Sequence, residues 1–382
     1  MMKIRILSWF LLLAPLSAMA QDLSVKLVSP ALAAEEKPGN LFSMASASAR
    51  QKPLLLRPLY WVKTLIDSSA VATVDRRYIE QPRQQWAVEL RTDLSKSKLD
   101  MEADWVENGV KSTWGVMTEN SPTLSAGAWV GYRGYGFGLS KELRGGYGTS
   151  LSFGAMGGSF GINLRIRSYR SSSPELSING EGLENLTSMT YDLGDPIRVR
   201  SLFLDGYYMF NGRHFSYAAA YDQSLIQRIS AGSLVAGLMY YHSSIYMDSE
   251  SNILLQAWLN GLSKLKFSQG SVGVGYAYNW VPARGWLVSV MAMPMLTFYN
   301  KMYATILDWN PGANDEIYVT ETERDRTGKL GLNYDARLCV TYNWNRFYLR
   351  TYGYHNRFRY ANDDNTGIMR DWAVYAALGY RF

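Results

Sequence analysis

Apolar and polar residues alternate with a period of two along many short stretches of this chain. In the last stretch, one face of the predicted strand carries Trp372, Val374, Ala376, Leu378, Tyr380 and Phe382. Most of the residues between them are small or charged. Because successive side chains of a strand point to opposite faces, this pattern predicts a strand with one apolar face. Its length fits the roughly 9–11 residues that a tilted strand needs to cross a bilayer.

The same alternation recurs in residues 86–93, 215–222 and 270–280. A soluble β-sandwich would also alternate, but these apolar faces carry Tyr and Trp, and the opposite faces carry Gly and charge. This combination is typical of a transmembrane barrel with aromatic girdles. The last strand resembles the terminal signal by which bacterial outer-membrane barrels are recognised for insertion, so we expect the barrel-assembly machinery as a partner. The residues of this signal are Trp372, Val374, Leu378, Tyr380 and Phe382.

The lengths of the connections predict the topology. Outer-membrane barrels have short periplasmic turns and long extracellular loops. The two kinds alternate here if 214–245 is one pass with an irregular insertion near 223–231. The predicted fold is an all-β, antiparallel, up-and-down transmembrane barrel of about twelve strands; 149–169 and 214–245 leave ten to fourteen open. The strands are expected at 86–95, 122–133, 135–142, 149–156, 159–169, 197–210, 214–245, 270–280, 286–299, 331–343, 346–358 and 372–382.

The first twenty residues have the features of a secretory signal peptide. A basic start precedes a short apolar run, and Ala18-Met19-Ala20 supplies a small-residue cleavage site. Residues 58–68, further on, could form a short amphipathic helix in or against the lumen. A flexible lead with this one docked helix is preferred to a true plug. We therefore expect a signal peptide at 1–20, a periplasmic lead at 21–85 and an outer-membrane barrel at 86–382.

Composition agrees with a membrane barrel and removes several other classes. Charged residues make up 19% of the chain, below the roughly 25% of soluble domains. The net charge of +6 includes no run of Lys or Arg, so no nucleic-acid partner is expected. Cys339 is the only cysteine, which excludes an intrachain disulfide, and no spacing of His and Cys predicts a metal site. No cofactor is predicted.

Three fragments point to a known family through their order and spacing. Asp75-Arg76-Arg77-Tyr78-Ile79 precedes the first strand, Gln227-x-x-Ser230-Ala231-Gly232-Ser233 stands in the middle, and Gly275-Tyr276-x-Tyr278-Asn279-x-Val281 precedes a short turn. Together they resemble an uncharacterised family of outer-membrane β-barrel proteins from Bacteroidota, known only as a domain of unknown function. The resemblance covers residues 70–382, approximately. It implies a fold and a location in the bacterial outer membrane, and it supplies no activity or site residues.

His242 and Ser244 are the candidate catalytic pair. They continue the outward apolar face of their strand and would lie near the outer-leaflet boundary. Outer-membrane phospholipases and lipid A deacylases carry a His-x-Ser pair in such a place, where the histidine removes the serine proton. Here no Asn follows the serine, and a third polar group would come from Asp248, Glu250 or Asn252, or from another strand. A rim pair without chemistry explains the same residues, so no catalytic residue is assigned.

Four arginines flank the long connection 170–196. Arg165 and Arg167 end one strand, and Arg198 and Arg200 begin the next. Because Arg binds phosphate bidentately, guanidinium groups at the outer rim could contact the phosphates of lipopolysaccharide. On the lumen wall they would instead bias a pore toward anions. The plainer interpretation is anchoring in a charged leaflet, and outer-membrane lipids and lipopolysaccharide are the expected partners in either rim arrangement.

These observations predict an outer-membrane barrel that acts as a narrow channel or as a structural envelope protein. A twelve-stranded lumen crowded by Tyr and Arg would be narrow, because open aqueous channels are typical of about 16–18 strands. The alternative function is an outer-leaflet lipid hydrolase, of the phospholipase or lipid A deacylase type, that uses His242 and Ser244. Whether the protein is an enzyme stays open, and the non-enzymatic interpretation is preferred.

Overall fold

A computed structural model gives the fold of this chain. The predicted signal peptide at 1–20 and the predicted helix at 58–68 lie outside the described residues. In the described part of the chain, no helix is both long enough and apolar enough to cross a membrane. The structure describes residues 74–107, 110–119, 122–144, 148–171, 175–176, 189–190, 197–246, 262–311, 317–361 and 365–382.

Strands and one short helix follow one another along the described chain. In chain order they are β1 (Ile79–Glu80), β2 (Trp86–Glu107), β3 (Val110–Glu119), β4 (Thr123–Tyr132), β5 (Tyr135–Arg144), β6 (Thr149–Met156), β7 (Phe160–Ser171), β8 (Glu175–Leu176), β9 (Met189–Thr190), β10 (Ile197–Met209), α1 (Tyr217–Tyr221), β11 (Ile226–Gln227), β12 (Ala231–Tyr246), β13 (Leu262–Trp280), β14 (Trp286–Pro311), β15 (Ile317–Thr327), β16 (Gly331–Trp344), β17 (Phe347–Ala361) and β18 (Asn365–Arg381).

Twelve strands close into one antiparallel barrel. Strands β3 and β15 pair with the far ends of β2 and β14 and lengthen two hairpins. The predicted number of twelve is confirmed, and the stretch 149–169 contributes two strands of the ring. Around the barrel the order is β2, β4, β5, β6, β7, β10, β12, β13, β14, β16, β17 and β18, and β18 pairs with β2 to close the ring.

The two ends of the barrel differ in their connections. At the short-turn end, few residues join most consecutive strands, and Trp86 and Phe382 close the seam with two backbone hydrogen bonds of 3.0 and 3.2 Å. At one of these turns Arg133 and Gly134 both have positive φ angles, 48° and 89°. This conformation matches the twist of the flanking strands in a tight hairpin. The opposite end, which carries the connection 247–261, is called the long-loop end.

The side chains separate between the two faces of the wall. Leu90 points outward and is 69% exposed, whereas its neighbours Glu89 and Arg91 point into the lumen and are 0% and 7% exposed. An apolar exterior around a polar interior is the reverse of a soluble domain, and it fits a barrel that spans a membrane without an unpaired edge. An aromatic girdle surrounds the short-turn end, with ring pairs Trp86–Tyr132 at 4.8 Å, Trp286–Tyr342 at 4.8 Å and Phe347–Tyr380 at 5.0 Å.

The alternation in 215–222 does not form a strand, and this part of the prediction is wrong. Residues Tyr217–Tyr221 form α1, and the Oγ of its N-cap Ser216 accepts a hydrogen bond from the Ala219 N–H at 3.0 Å. All five helical residues are buried, so the helix has no exposed face to produce a period of 3.6 residues. The predicted single pass therefore consists of a segment inside the lumen followed by β12, which begins at Ala231.

Candidate functional site

Residues 211–230, between β10 and β12, turn into the lumen at the short-turn end; we call them the plug segment. Phe215 and Tyr217 within it are completely buried. Helix α1 packs on β14 and β16, and the Cys339 thiol of β16 donates a hydrogen bond to the Ala220 carbonyl at 3.0 Å. The plug segment thus belongs to the main hydrophobic core of the barrel.

Arg337 on β16 joins α1 to the wall of the lumen. Its guanidinium donates a hydrogen bond to the Tyr217 hydroxyl at 2.6 Å. It also donates to the carboxylates of Asp205 and Asp335 at 2.9 and 3.1 Å. The Tyr207 hydroxyl donates to Asp335 at 2.6 Å. Since a buried charge is tolerated only when it is paired and hydrogen-bonded, this cluster fixes Tyr217 against two strands at once.

Two further arginines contact the C-terminal side of α1. Arg350 donates to the Tyr221 carbonyl, and at 2.6 Å to the carboxylate of the fully buried Glu89. Arg381 donates to the backbone and side-chain carbonyls of Gln223 at 3.1 and 3.2 Å. Carbonyls at the end of a helix lack intrahelical partners and carry partial negative charge. The two arginines supply the missing donors and thereby stabilise the end of α1 in the lumen.

The three fragments that resemble a known family meet at the plug segment. Gln227 pairs with Ile79 where β11 meets β1. Asn279 of β13 donates from its side-chain amide to the Gln227 Oε1 atom at 3.1 Å. The Val281 N–H donates to the Ser230 hydroxyl at 2.9 Å. Fragments far apart in the chain therefore build one contact region, which attaches the plug segment to the short-turn end.

The stretch before β2 also contacts the plug segment. The Asp75 N–H donates to the Arg213 carbonyl at 2.8 Å, and the Asp75 carboxylate lies 3.6 Å from His214 Nε2. The ring of His214 packs edge-on against Tyr78, with centroids 4.4 Å apart. Hydrogen bonds from Arg77 hold the pKa of Asp75 well below its usual range, so this carboxylate stays ionised at neutral pH.

A small cavity of about 60 Å³ lies between the plug segment and the wall. Arg165 lines it, with its guanidinium held between the rings of Phe203 and Tyr354 at 4.5 and 4.1 Å from their centroids. Arg91 also lines it and donates to the Ser152 hydroxyl at 2.5 Å. This volume accommodates a few water molecules.

On the outward face of the wall, His242, Ser244 and Ser268 form a second polar group, which we call the outer-wall site. The His242 Nε2 atom lies 3.3 Å from the Ser244 Oγ atom. The His242 Nδ1 atom lies 2.8 Å from the Ser268 Oγ atom. Ser268 stands directly opposite His242 in the β12–β13 ladder. The predicted pair is therefore in contact, and a third polar residue completes the group.

Ser268 is the residue that the sequence analysis missed. The loop residues expected to supply a third group, Asp248, Glu250 and Asn252, lie outside the described residues. Ser268 comes instead from the adjacent strand, one of the origins left open by the sequence. The only signal for it is the register of β12 against β13, which the long connection 247–261 does not specify.

Basic side chains flank the outer-wall site. Arg200 of β10 and Lys266 of β13 lie opposite Ser244 on its two sides, and Lys301 of β14 lies opposite Ser268. Residues directly opposite in a ladder have Cβ atoms about 4.5–5.5 Å apart. The site therefore lies within a group of three cations at the long-loop end of these strands.

The four arginines expected together at the rim lie on different faces. Arg198 and Arg200 are exposed on the outward face of β10. Arg165 and Arg167 point into the lumen, where Arg167 donates to the Ser95 hydroxyl at 2.5 Å. Contact with lipid phosphates stays a prediction, and the outward pair is placed where such contact is physically accessible.

His355 lies on β17 in the barrel wall. His355 accepts or donates a hydrogen bond with the Tyr334 hydroxyl at 2.9 Å. Among the described residues, no group of three or more His, Cys, Asp or Glu side chains could hold a metal ion. The role in membrane insertion stays a prediction for the residues on the outward face of β18 and at the chain end, which are Trp372, Val374, Leu378, Tyr380 and Phe382.

The closed ring and its apolar exterior define a transmembrane β-barrel. The chain belongs to the family described as a domain of unknown function, DUF4421, whose profile matches residues 73–382. The resemblance to a domain-of-unknown-function family is therefore confirmed. A comparison with curated proteins finds no match.

Several solved barrels are similar in fold at low identity. The outer-membrane protease OmpT from Escherichia coli is 8% identical, with a TM-score of 0.36, covering 78% of this chain and 97% of that one. The beta domain of the Bordetella autotransporter BrkA is 13% identical, with a TM-score of 0.33, covering 78% and 100%. The translocator domain of the autotransporter NalP from Neisseria meningitidis is 10% identical, with a TM-score of 0.31, covering 79% and 90%. The barrel assignment rests on the strand pairing of this chain itself.

Proposed function

We propose that this protein is a bacterial outer-membrane barrel with a closed lumen, which contributes to the envelope as a structural protein and not as an open channel. The supporting observation is the plug segment, whose α1 is held by Arg337 and Arg350 and whose following loop is held by Arg381. The cavity beside the plug segment, of about 60 Å³, accommodates a few water molecules. Of the two roles expected from the sequence, the structural one is therefore favoured over the narrow channel.

The orientation follows from the connections. Barrels of the outer membrane have short turns in the periplasm and long loops outside the cell. The short-turn end, which carries both ends of the described chain, would then face the periplasm together with the lead at 21–85. Under this orientation the plug segment closes the barrel from the periplasmic side, and the outer-wall site lies near the outer leaflet.

Cys339 makes the closed lumen directly measurable. It is the only cysteine of the chain, it is 0% exposed, and Ala220 of α1 covers its thiol. A thiol reagent added to the folded protein should therefore react slowly. Loosening the plug segment should speed the reaction, because movement of α1 would uncover the sulfur.

The experiment combines thiol labelling with conductance across planar bilayers. Wild type should show no steady conductance and slow labelling. Gln227→Leu removes hydrogen bonds from Gln227 to the His214 and Ile229 carbonyls, 2.6 and 2.8 Å long, and should accelerate labelling and produce transient openings. Gln81→Leu, the same change at an exposed position of the same end, should match wild type. Steady wild-type conductance with Cys339 still protected would overturn the closed-lumen proposal.

A further inference from the structure

The outer-wall site lies where the apolar outward face of β12 gives way to polar residues. On β12 the outward residues Leu234 and Leu238 are 56% and 52% exposed, as expected for contact with lipid. Along the same outward face, Tyr240 is followed by His242 and then by Ser244. At this position the His242 ring has a serine hydroxyl near each of its nitrogens, which is the arrangement that a serine nucleophile and its base require.

The two contacts of the His242 ring fit the tautomer that a general base requires. If Nδ1 carries the proton and donates to the Ser268 hydroxyl at 2.8 Å, Nε2 is free to accept the Ser244 proton across 3.3 Å. This is the relation of a nucleophile, a general base and a group that orients the base. Ser268 is in this arrangement a positioning residue, since it acts on Ser244 only through His242.

The flanking cations indicate the kind of molecule that would bind. Arg200 and Lys266 stand on the two sides of Ser244, and both Arg and Lys bind phosphate oxygens well. Ser244 is only 7% exposed, so neighbouring side chains must move before a reactant can reach its hydroxyl. A membrane lipid that carries a phosphate and an acyl ester near its headgroup presents both required features at this depth.

We propose that the outer-wall site is an acyl-ester hydrolase site for phosphate-bearing lipids of the surrounding leaflet, with Ser244 as nucleophile and His242 as general base. The Ser244 Oγ atom attacks the ester carbonyl carbon while its proton passes to His242 Nε2. The C–O bond to the lipid alcohol then breaks, and the alcohol leaves with that proton. Water attacks the acyl-serine, again giving a proton to His242, and the fatty acid leaves as the proton returns to Ser244.

Arg200 and Lys266 bind the lipid phosphate in this proposal and set the specificity. They should therefore influence the binding of phosphate-bearing lipids more than that of a neutral ester. Lys266→Gln should raise KM for phosphatidylglycerol vesicles several-fold. The KM of the same variant for a neutral p-nitrophenyl ester should change much less, and an equal rise in both KM values would contradict phosphate binding by Lys266.

The decisive experiment uses the full-length folded barrel in detergent and in vesicles. One arm supplies phosphatidylglycerol and a second supplies lipid A, and fatty-acid release is measured in each, so that the two sources of phosphate are distinguished. A fluorophosphonate probe should add one adduct, located at Ser244 by peptide mass. Ser244→Ala should lose the adduct and reduce release by about 10³-fold or more.

Ser243→Ala is the matched control. Ser243 is the same residue type one position earlier, points into the lumen and is 2% exposed, so its variant should retain release and labelling. Ser268→Ala should lower kcat by about 10-fold, the value of one neutral hydrogen bond, and Ser268→Asn, which keeps an acceptor, should recover most of it. Recovery by Asn separates positioning from a merely structural role.

Each outcome decides the proposal. Release in either lipid arm that Ser244→Ala abolishes and Ser243→Ala keeps would establish it and identify the lipid. Absence of both release and probe labelling in wild type would overturn it, as would release that survives Ser244→Ala. The closed-lumen proposal is tested by conductance and Cys339 labelling, so failure of one leaves the other standing.

Discussion

Replacing Arg350 with Met should destabilise the folded barrel by about 3–5 kcal/mol, the usual cost of breaking a buried ion pair by removing one partner. Arg350 is 3% exposed and Glu89 is 0% exposed. After the substitution the Glu89 carboxylate keeps the Tyr348 hydroxyl at 2.9 Å as its donor and loses the guanidinium at 2.6 Å. The Tyr221 carbonyl of α1 loses its donor as well.

The double variant Glu89→Leu with Arg350→Met separates the two losses. Removing both charges eliminates the uncompensated carboxylate, so the remaining cost is that of the unpaired Tyr221 carbonyl and Tyr348 hydroxyl. Both variants leave the Tyr221 carbonyl unpaired, so they differ by the stranded Glu89 carboxylate, about 3–5 kcal/mol, against the unpaired Tyr348 hydroxyl, about 1–3 kcal/mol. We therefore expect the double variant to be more stable than Arg350→Met alone.

Unfolding by guanidinium chloride in detergent, followed by tryptophan fluorescence, measures these differences. Cys339 labelling at low denaturant should report the same order, because Arg350 contacts α1 directly. Arg346→Met, at an exposed turn of the same end, is the control and should leave the midpoint nearly unchanged. If the double variant is less stable than Arg350→Met, the assignment of the cost to the stranded Glu89 carboxylate is wrong.

Two further changes test the wall itself. Gly136→Ala should destabilise the barrel by about 1–3 kcal/mol through overpacking, because a Cβ atom there would lie 2.3 Å from the Trp129 ring. Gly206→Ala is the control: a Cβ atom at that position meets nothing within 4 Å, so the variant should be nearly neutral in the same unfolding assay. Deleting Phe382 removes its backbone pairing with Trp86 at the seam and part of the predicted insertion signal, so the heat-modifiable folded fraction in cells should fall. Phe210→Ala removes an outward aromatic side chain that is 64% exposed and should keep the folded fraction. Equal losses in both variants would contradict a special role for the chain end.

The strands were predictable because each one alternates between lipid and lumen. In β18 the two faces differ so strongly in polarity that a shift of one residue would reverse every side chain. The period of two therefore defines both the strand and its orientation. The number of ring strands follows from a separate pattern, because short turns and long loops alternate between the two ends of such a barrel.

The plug segment was not predictable by this reasoning. Period-two alternation is informative only where one face is exposed, and all five residues of α1 are buried. The partners of Arg337 and Arg350 depend on how distant strands meet across the lumen, which no local pattern encodes. For the outer-wall site, the contact of His242 with Ser244 followed from their spacing, whereas Ser268 required the register across a long loop.

The lumenal charges distinguish a closed barrel from a pore. In a water-filled channel, acidic and basic side chains are solvated and need no fixed partners. Here Glu89, Asp205 and Asp335 are 0% exposed, and each hydrogen-bonds to an arginine that also contacts the plug segment. Opening the lumen would have to move α1 away from the arginines that hold it, through the hydrogen bonds of Arg337 to Tyr217 and of Arg350 to the Tyr221 carbonyl. The paired lumenal charges therefore fit the proposed closed lumen better than a water-filled pore. Because the outer-wall site lies on the outward face of the wall, a lipid would reach it from the membrane and not through the lumen.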